Sequence, residues 1–320
     1  MRGEPGATCL DKDEVGGMPV ASVVIPSRNR RKSLEHCLDA LASQSMPPGS
    51  VEVIVVDDGS PEPLSLEAGR WAGKFELVSI RQRNTGPSGA RNRGASVARG
   101  RFLCFTDDDC TPEKGWVEAM VSFLGSDPEA LAGGITRNGA GDNLYAVTNQ
   151  LILDLASSHF NGGPDGPFLL TSNNMACRRE SFFSAGGFDE RFRMPGGEDR
   201  DFCDTWRASK ARLAIVRGAM VIHYHRQSLF GFIAMYFRYG RGAYLYRCGR
   251  LARRTGTMRD ALGFHRRLPL LLIREVLRLD GWSRRGSILV LVMVWQIANA
   301  AGFIWEAWVL FIKRGVGRTS

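Results

Sequence analysis

Four runs of apolar residues, mostly β-branched or aromatic, lie in the first third of the chain. They occupy residues 20–26, 51–56, 75–80 and 102–105. Continuous apolar runs of this length are typical of strands that are buried on both faces of a sheet. Residues 31–43 have the apolar spacing of a helix, and a second helix is predicted at residues 89–98. Strands that alternate with helices predict an α/β fold with a mostly parallel central sheet flanked by helices.

The middle of the chain has a weaker pattern. It predicts a helix at residues 115–123, strand-like and helical pieces at residues 169–176 and 200–209, and a short apolar strand at residues 219–222. We expect a less regular stretch at residues 133–167, lying across the side of the sheet where a second substrate binds.

The last part of the chain contains an uncharged segment at residues 287–305, with basic pairs before and after it. About 20 apolar residues are enough to cross a bilayer. Gln296, Asn299 and Glu306 are unfavourable in hydrocarbon. Three placements therefore stay open: a single span, an interfacial or re-entrant helix, and a core helix of a soluble domain. We assign residues 286–312 to a membrane-associated or transmembrane helix.

The charge of the chain is concentrated around this segment. The formal net charge is +9, and arginine is dense after Arg200. We assign residues 227–285 to a basic amphipathic helical region, in which residues 247–278 would rest on an anionic membrane surface, and residues 313–320 to a basic tail. Zinc-finger spacing and aromatic-and-basic RNA motifs are absent from the sequence, so nucleic acid is not a predicted partner.

The chain begins with a polar, glycine-containing segment at residues 1–18, which lacks the apolar core of an export signal. We interpret this segment as a flexible tail. The seven cysteines form neither a CxxC pair nor a framework spacing, which indicates a reducing compartment. Together with the basic and apolar C-terminal region, these features predict a location on the cytoplasmic face of the cell membrane.

Three adjacent carboxylates, Asp107, Asp108 and Asp109, follow the fourth apolar run. Adjacent carboxylates repel one another, so a strand end is an unfavourable place for them unless a cation is bound there. Hard divalent cations prefer oxygen ligands and commonly bind one or two carboxylates together with the phosphates of a substrate. The cluster therefore predicts a site for a metal ion and a nucleotide diphosphate, and a solvated acidic turn is the alternative.

An ordered set of short motifs accompanies these carboxylates. They are VVIPSRN (23–29), VVDDGS (55–60), NTG (84–86), ARNRG (90–94), FTDDD (105–109), GGFDE (186–190) and GED (197–199). In this order the motifs resemble the family 2 glycosyltransferases, which are inverting enzymes of the GT-A fold. The resemblance implies that residues 19–226 form a GT-A catalytic domain. It also implies a nucleotide-diphosphate sugar as donor, a hydroxyl group as acceptor and a divalent metal, Mn²⁺ or Mg²⁺.

The resemblance further implies which residues contact the donor. They are Pro26, Ser27, Arg28, Asp58, Asn84, Gly86, Arg91, Asp107 and Asp108. Asp58 would hold the nucleotide base, and the alternative is a carboxylate that caps its own turn. Arg91 would meet phosphate or sugar oxygens, and the alternative is a surface position on its helix.

The implied metal ligands are Asp107, Asp109 and His223. The two aspartates match the outer positions of the DxD motif of the family, and Asp108 would face the ribose or the sugar of the donor. The spacing of His223 and His225 places both rings on one face of a strand. A packed core histidine is the alternative for either residue, and we choose His223 for the site.

The Gly-Glu-Asp motif supplies the predicted general base, Asp199. A carboxylate is ionised at neutral pH and can accept the proton of an acceptor hydroxyl group. Glu198 would orient Asp199 or contact the acceptor, while Gly196 and Gly197 would leave room for it. The alternative for this motif alone is a helix start whose acidic residues favour the helix dipole.

The chain departs from the processive polysaccharide synthases of the family. These enzymes carry a glutamine-x-x-arginine-tryptophan motif, and the nearest counterpart, MYFRY at residues 235–239, lacks the glutamine and the tryptophan. We therefore predict the transfer of one or a few sugars to an acceptor, which the basic and apolar C-terminal third suggests is lipid-linked or part of the cell envelope. The alternatives are a sugar-nucleotide nucleotidyltransferase and a non-catalytic nucleotide-sugar-binding assembly protein.

Overall fold

The three-dimensional structure is a computed structural model of the chain. It describes residues 18–316, with the exception of residue 142, residues 164–166, residue 226, residues 258–261 and residue 280. The N-terminal tail predicted at residues 1–18 thus lies outside the described residues, apart from Met18.

The described residues form one eight-stranded sheet. The strands are β1 (Ala21–Ser27), β2 (Val51–Asp58), β3 (Glu76–Gln82), β4 (Phe102–Thr106), β5 (Cys110–Pro112), β6 (Leu131–Asn138), β7 (Asn174–Arg178) and β8 (Leu213–His223). Their order in the sheet is β3-β2-β1-β4-β7-β6-β8-β5. Strands β3, β2, β1 and β4 run parallel to one another, and β6 runs parallel to β8. Strand β7 is antiparallel to β4 and β6, and β5 is antiparallel to β8.

Helices cover both faces of the sheet and continue beyond it. They are α1 (Arg31–Leu41), α2 (Pro87–Val97), α3 (Trp116–Ser126), α4 (Leu144–Asn161), α5 (Arg179–Ser184), α6 (Glu198–Ala208), α7 (Leu229–Arg253), α8 (Leu262–Leu277) and α9 (Trp282–Val316), with a short 3₁₀ helix at Ala68–Trp71. The predicted α/β class is confirmed. The four predicted strands of the first third are present, and β2 continues beyond its apolar run into two aspartates.

The alternating side chains of β1 separate two apolar cores. Val23 and Ile25 belong to the core that also contains residues of α1 and α3, whereas Val24 belongs to the core that contains residues of α2 and α6. Parallel strands buried on both faces are nearly all apolar, which is why the first apolar runs were informative. The carboxyl ends of β1, β2 and β4 consequently lie at one edge of the sheet.

The expectation of a less regular stretch at residues 133–167 is wrong. This part of the chain contains most of β6 and the whole of an 18-residue helix, α4, whose first turn is capped by the Asn143 side chain. Polar residues inside α4 obscured its pattern, but the structure satisfies them. The Thr148 hydroxyl donates to the carbonyl oxygen of Leu144, and Asn149 accepts a hydrogen bond of 2.7 Å from the hydroxyl of Tyr236 on α7.

Helices α4, α7, α8 and α9 share a third apolar core, which includes Phe232, Phe264 and Trp295. Helices α7 and α9 cross closely, because a Cβ atom at Gly240 or Gly302 would overlap a carbonyl oxygen of the other helix. Helix α9 extends beyond both ends of the predicted membrane-associated segment, residues 286–312. It includes the described residues of the predicted basic tail, up to Val316. The division into domains otherwise stays a prediction.

Among the described helices, α9 is long and apolar enough to cross a membrane, over Trp282–Ile312. Its ionisable residue Glu306 faces inward, where it is buried and forms an ion pair of 2.6 Å with Arg241 on α7. Its outward face is apolar. The exposed large apolar residues on it are Trp282, Leu289, Val290, Met293, Ile297, Ile304, Trp305, Trp308, Phe311 and Ile312.

Glu52 joins β1, β2 and the start of β4, and we predict a large stability effect when it is replaced. Its buried carboxylate accepts hydrogen bonds from the Ser22 hydroxyl (2.6 Å), the Arg99 backbone N–H (2.6 Å) and the Arg99 Nε–H (3.0 Å). Glu52→Ala leaves the buried hydroxyl without this acceptor, so the free energy of unfolding should fall by about 3 kcal/mol in urea denaturation. The control Glu76→Ala removes an exposed partner of Arg99 and should change stability by about 0.5 kcal/mol or less. Equal effects of the two substitutions would contradict a structural role for Glu52.

Candidate active site

A cavity of about 710 Å³ opens at the carboxyl ends of the central strands. In open α/β sheets, ligands bind outside the carboxyl ends of the strands. Every residue predicted for the site from the sequence lines this one cavity: Pro26, Ser27, Arg28, Asp58, Asn84, Gly86, Arg91, Asp107, Asp108, Asp109, Glu198, Asp199 and His223. The roles assigned to them stay predictions, but the structure brings these residues together.

The end of β1 contacts the acidic cluster through Ser27 and Arg30. The Ser27 hydroxyl donates a hydrogen bond of 2.7 Å to Asp108. One guanidinium nitrogen of Arg30 lies 3.1 Å from Asp108 and 2.7 Å from Asp109. Burial raises the pKa of Asp108 to about 6, although the charge of Arg30 offsets part of this effect. Arg30 thus supplies a positive charge to the acidic cluster. The sequence did not predict this contact, because the motif names Arg28 and ends before Arg30.

Asp58 at the end of β2 holds the loop that leads into α2. One carboxylate oxygen accepts hydrogen bonds from the Gln82 side chain (2.8 Å) and the Thr85 backbone N–H (2.9 Å). The other accepts from the Asn84 side chain (3.1 Å) and the Gly86 backbone N–H (2.9 Å). Asp58 therefore fixes the conformation of this loop, which borders the cavity. Its contact with a nucleotide base stays a prediction.

Gly86 precedes α2 and has a backbone conformation that suits glycine. Its φ angle is 90°, and a Cβ atom at this position would overlap the carbonyl oxygen of Arg193. An L-residue would therefore be both strained and obstructed here. The close approach places the start of α2 against the loop that precedes the Gly-Glu-Asp motif.

Asp109 is the centre of a cluster of three side chains that could hold a metal ion. Its two carboxylate oxygens lie 3.1 Å from Nε2 of His223 and 3.2 Å from Nδ1 of His225. The pairing of β5 with β8 sets this geometry, because Cys110 lies opposite His223 in the antiparallel register. Burial disfavours the charged carboxylate, but the hydrogen bonds with the histidines and the charge of Arg30 outweigh it, so the pKa of Asp109 lies well below its usual range.

The donor atoms of Asp109, His223 and His225 fit a divalent metal. One potential ligand atom from each residue lies within 4.8 Å of the others, which is a separation that a single ion can bridge. The sequence predicts only His223 as a metal ligand, although the HxH spacing places both rings on one face of the strand. In the structure His225 lies beside it in the same cluster. Asp107, the other predicted metal ligand, lines the same cavity and forms an ion pair with Arg91.

Arg91 connects the two acidic centres of the cavity. Its guanidinium group is buried against the ring of Phe188, with one nitrogen 2.6 Å from Asp107 and another 3.5 Å from Glu198. The Asn92 side chain holds the loop of Phe188 through hydrogen bonds of 2.9 Å and 2.8 Å to the backbone of that residue. The predicted ligand-facing position of Arg91 agrees with this geometry, and the surface alternative does not, because Arg91 is only 3% exposed.

Glu198 and Asp199 begin α6 at the opposite wall of the cavity. The Glu198 carboxylate accepts a hydrogen bond of 2.7 Å from the Gly196 backbone N–H, and that of Asp199 accepts one of 2.8 Å from the Arg200 N–H. Burial and the neighbouring charge of Asp199 raise the pKa of Glu198 to about 7. Burial also raises the pKa of Asp199, so both carboxylates bind a proton more readily than a solvated one.

Gly196 and Gly197 have positive φ angles and lie directly against α7. A Cβ atom at Gly196 would lie 2.7 Å from the ring of Tyr239, and one at Gly197 would lie 2.9 Å from the carbonyl oxygen of Gly242. The sequence predicts that the two glycines leave room for an acceptor, whereas in the structure α7 occupies the side toward which their Cβ atoms would point. Tyr239 consequently lines the cavity near the acidic wall, which the sequence did not predict.

The far part of the cavity is largely apolar. It is lined by Ile152, Leu153 and Ala156 of α4, by Met235 of α7, by Phe264 of α8 and by Trp295 of α9. Asn299 of α9 also faces it, which explains one of the polar residues inside the long uncharged segment. The C-terminal helices therefore complete the cavity that the sheet begins.

The chain is similar to a known protein family and to several known proteins. The model described as glycosyl transferase family 2 matches residues 22–211. The pre-mycofactocin glycosyltransferase of Mycobacterium tuberculosis is 33% identical over 236 residues, which cover 69% of this chain and 46% of that protein. Glycosyltransferase AglE of Haloferax volcanii is 28% identical over 234 residues, which cover 70% of this chain and 73% of that protein. The chain thus spans less than half the length of the mycobacterial relative.

A solved structure shares the fold. The mannosyltransferase PcManGT from Pyrobaculum calidifontis, in complex with GDP-Man and Mn²⁺, superposes with a TM-score of 0.64 at 17% sequence identity. The match covers 90% of this chain and 88% of that one. The likeness confirms the GT-A fold that the motifs implied. The family match, which covers more than half of the residues and all the acidic motifs of the cavity, shows that this chain belongs to glycosyltransferase family 2.

Proposed function

We propose that this protein is a metal-dependent inverting glycosyltransferase that moves a sugar from a nucleotide-diphosphate sugar to a hydroxyl acceptor. The observation that carries the proposal is the position of Arg91. This one buried guanidinium contacts Asp107 of the proposed donor side and Glu198 of the proposed acceptor side. A single sugar ring can therefore lie between the two acidic centres.

The donor side supplies a cationic environment for a diphosphate. Arg30 and Arg91 lie at its edges, and Asp109, His223 and His225 offer one oxygen and two nitrogen ligands for a metal. A bound divalent metal would neutralise the negative charge that the leaving diphosphate gains. Mg²⁺ prefers ligand sets composed of oxygens, whereas imidazole nitrogens suit transition metals. The mixed ligand set therefore favours Mn²⁺ over Mg²⁺.

The acceptor side supplies the base. The acceptor oxygen attacks the anomeric carbon, the bond from that carbon to the diphosphate oxygen breaks, and the acceptor proton passes to the Asp199 carboxylate. Attack from the face opposite the leaving group inverts the anomeric configuration. Glu198 keeps Asp199 in place by fixing the Gly196 turn through its hydrogen bond of 2.7 Å. The raised pKa of Asp199 makes its carboxylate a stronger base than a solvated aspartate.

We further propose that the acceptor is presented at a membrane on the cytoplasmic side, as a lipid-linked or cell-envelope glycan. The apolar outward face of α9 supports this, because a row of exposed aromatic and aliphatic residues is unfavourable in water. The inward placement of Glu306 and Asn299 removes the objection that these polar residues raised. Since α9 packs along α7 by its other face, we favour a helix that contacts lipid on one side.

Replacement of Asp199 by asparagine tests the catalytic proposal. Asp199→Asn keeps the side-chain size but removes the base, so metal-dependent hydrolysis of the best donor from a panel of UDP- and GDP-sugars should fall by about 10²- to 10⁴-fold. Nucleoside diphosphate should still raise the melting temperature in the presence of Mn²⁺. Asp39→Asn, which alters a carboxylate of α1 that pairs with Arg70 of the 3₁₀ helix, is the matched control and should leave both measurements unchanged.

The outcomes separate the alternatives. Loss of metal-dependent nucleotide binding in Asp199→Asn would remove this residue from the base role. Stabilisation by nucleoside triphosphates, stronger than by diphosphates, would favour a nucleotidyltransferase over the proposed enzyme.

Membrane association is tested on the exposed face of α9. The double substitution Met293→Glu and Ile297→Glu places two charges where we propose lipid contact, so binding to vesicles that contain anionic lipid should weaken by at least about tenfold in co-sedimentation. The control introduces the same charges at Phe183 and Ile215, which are exposed apolar residues of the sheet domain. Equal vesicle binding by the two double variants would exclude α9 as the lipid-contacting element.

A further inference from the structure

A small side cavity of about 80 Å³ opens beside the acceptor part of the main cavity. Arg200, Arg207, Arg247 and Arg250 line it together with Asp204, and we call it the arginine pocket. Arg200 and Arg247 line both cavities, so the two spaces adjoin. Arg200 also follows the proposed base Asp199 directly in α6. The arginine pocket therefore lies within reach of a molecule that occupies the acceptor side.

The described lining of the arginine pocket is strongly positive. Four guanidinium groups face one carboxylate, and that carboxylate forms an ion pair of 3.2 Å with one of them, Arg250. Asp204 forms an ion pair of 3.0 Å with Arg253 and accepts a hydrogen bond of 2.6 Å from the Thr255 hydroxyl. The remaining positive charge in a partly enclosed space favours an anion.

Aromatic rings orient two of these arginines. The guanidinium carbon of Arg207 lies 3.4 Å from the ring centre of Phe168, and that of Arg200 lies 4.9 Å from the ring centre of Phe160. A guanidinium held by its planar face keeps its N–H edge available for hydrogen bonds, which matches the geometry of phosphate oxygens. The pocket is too small for a nucleotide and has the size of a single phosphate group, since pockets for larger ligands occupy roughly 300 Å³ or more.

The arginine pocket is separate from the proposed donor site. Its described residues come from α4, α6 and α7, from the segment before β7 and from the segment after α7, and none of them belongs to the strand ends that carry Asp58 and Asp107. The part of the main cavity beside it is the apolar part, lined by Ile152, Phe264 and Trp295. An anion pocket next to an apolar wall fits a molecule that carries both a phosphate group and a hydrocarbon chain.

We propose that the arginine pocket binds a phosphate group of the acceptor, and that the adjoining apolar wall accommodates its hydrocarbon chain. The assignment of this ligand as the acceptor rests on the proposed glycosyltransferase function. The acceptor class is accordingly a phosphorylated lipid or a lipid-linked glycan phosphate.

The test uses farnesyl phosphate as the probe, with farnesol and inorganic phosphate as comparison ligands, and full-length protein in detergent. Wild-type protein should bind farnesyl phosphate at least about tenfold more tightly than farnesol, because arginine–phosphate contacts are charge-assisted. Inorganic phosphate should displace farnesyl phosphate only at a large excess. Equal binding of farnesyl phosphate and farnesol, or displacement by equimolar inorganic phosphate, would overturn the proposal.

Variants locate the binding site. Arg207→Gln should reduce the preference for farnesyl phosphate over farnesol by about tenfold or more, and Arg207→Lys should restore part of it because the positive charge is kept. The control Arg217→Gln alters an exposed arginine of β8 that does not line either cavity, and it should keep the wild-type preference. An unchanged preference in Arg207→Gln would place the phosphate elsewhere and overturn the assignment.

Two further measurements keep the proposals distinguishable. The first is far-UV circular dichroism, which checks that Arg207→Gln is folded. The second is Mn²⁺-dependent nucleotide binding, which reports on the donor site alone. Failure of Mn²⁺-dependent nucleotide binding in the wild type would contradict the glycosyltransferase proposal. The preference for farnesyl phosphate over farnesol would still test phosphate binding in the arginine pocket. Loss of the farnesyl phosphate preference with intact nucleotide binding would remove only the acceptor assignment.

Discussion

The balance of charge around one cavity is the constraint on which the rest of the structure depends. The strand ends and the start of α6 direct carboxylates toward the same space, where burial makes unpaired negative charge expensive. Arg91 offsets part of this negative charge by contacting Asp107 and Glu198. Arg30 and the two histidines surround Asp109. The same arrangement, which compensates these buried charges, also supplies the ligand atoms and the cations of the proposed donor site.

Close backbone packing makes this convergence possible. The start of α2 touches the loop before α6 at Gly86, and α7 touches the turn at Gly196 and Gly197. Side chains at these positions would push apart the elements that carry Arg91, Glu198 and Tyr239. The C-terminal helices are consequently part of the cavity, and they add an apolar wall to its polar donor side.

The sequence predicted the first four strands and the residues that line one cavity at their ends, because buried parallel strands are continuous apolar runs and the motifs mark their ends. It predicted α4 poorly, since Thr148 and Asn149 interrupt the apolar pattern and are satisfied only by contacts within the folded chain. Arg30 and Tyr239 were missed for a related reason. Their importance comes from which distant elements the fold places beside them, and local spacing carries no information about that.

Anomalous X-ray diffraction is the most direct measurement of the central claim, applied to crystals that contain Mn²⁺ and a non-hydrolysable sugar nucleotide. We expect one manganese peak among Asp109, His223 and His225, with the diphosphate beside Arg91. Asp199 should lie on the face of the sugar opposite the diphosphate. A manganese peak outside this cavity, or an Asp199 carboxylate on the same face of the sugar as the leaving group, would contradict the account.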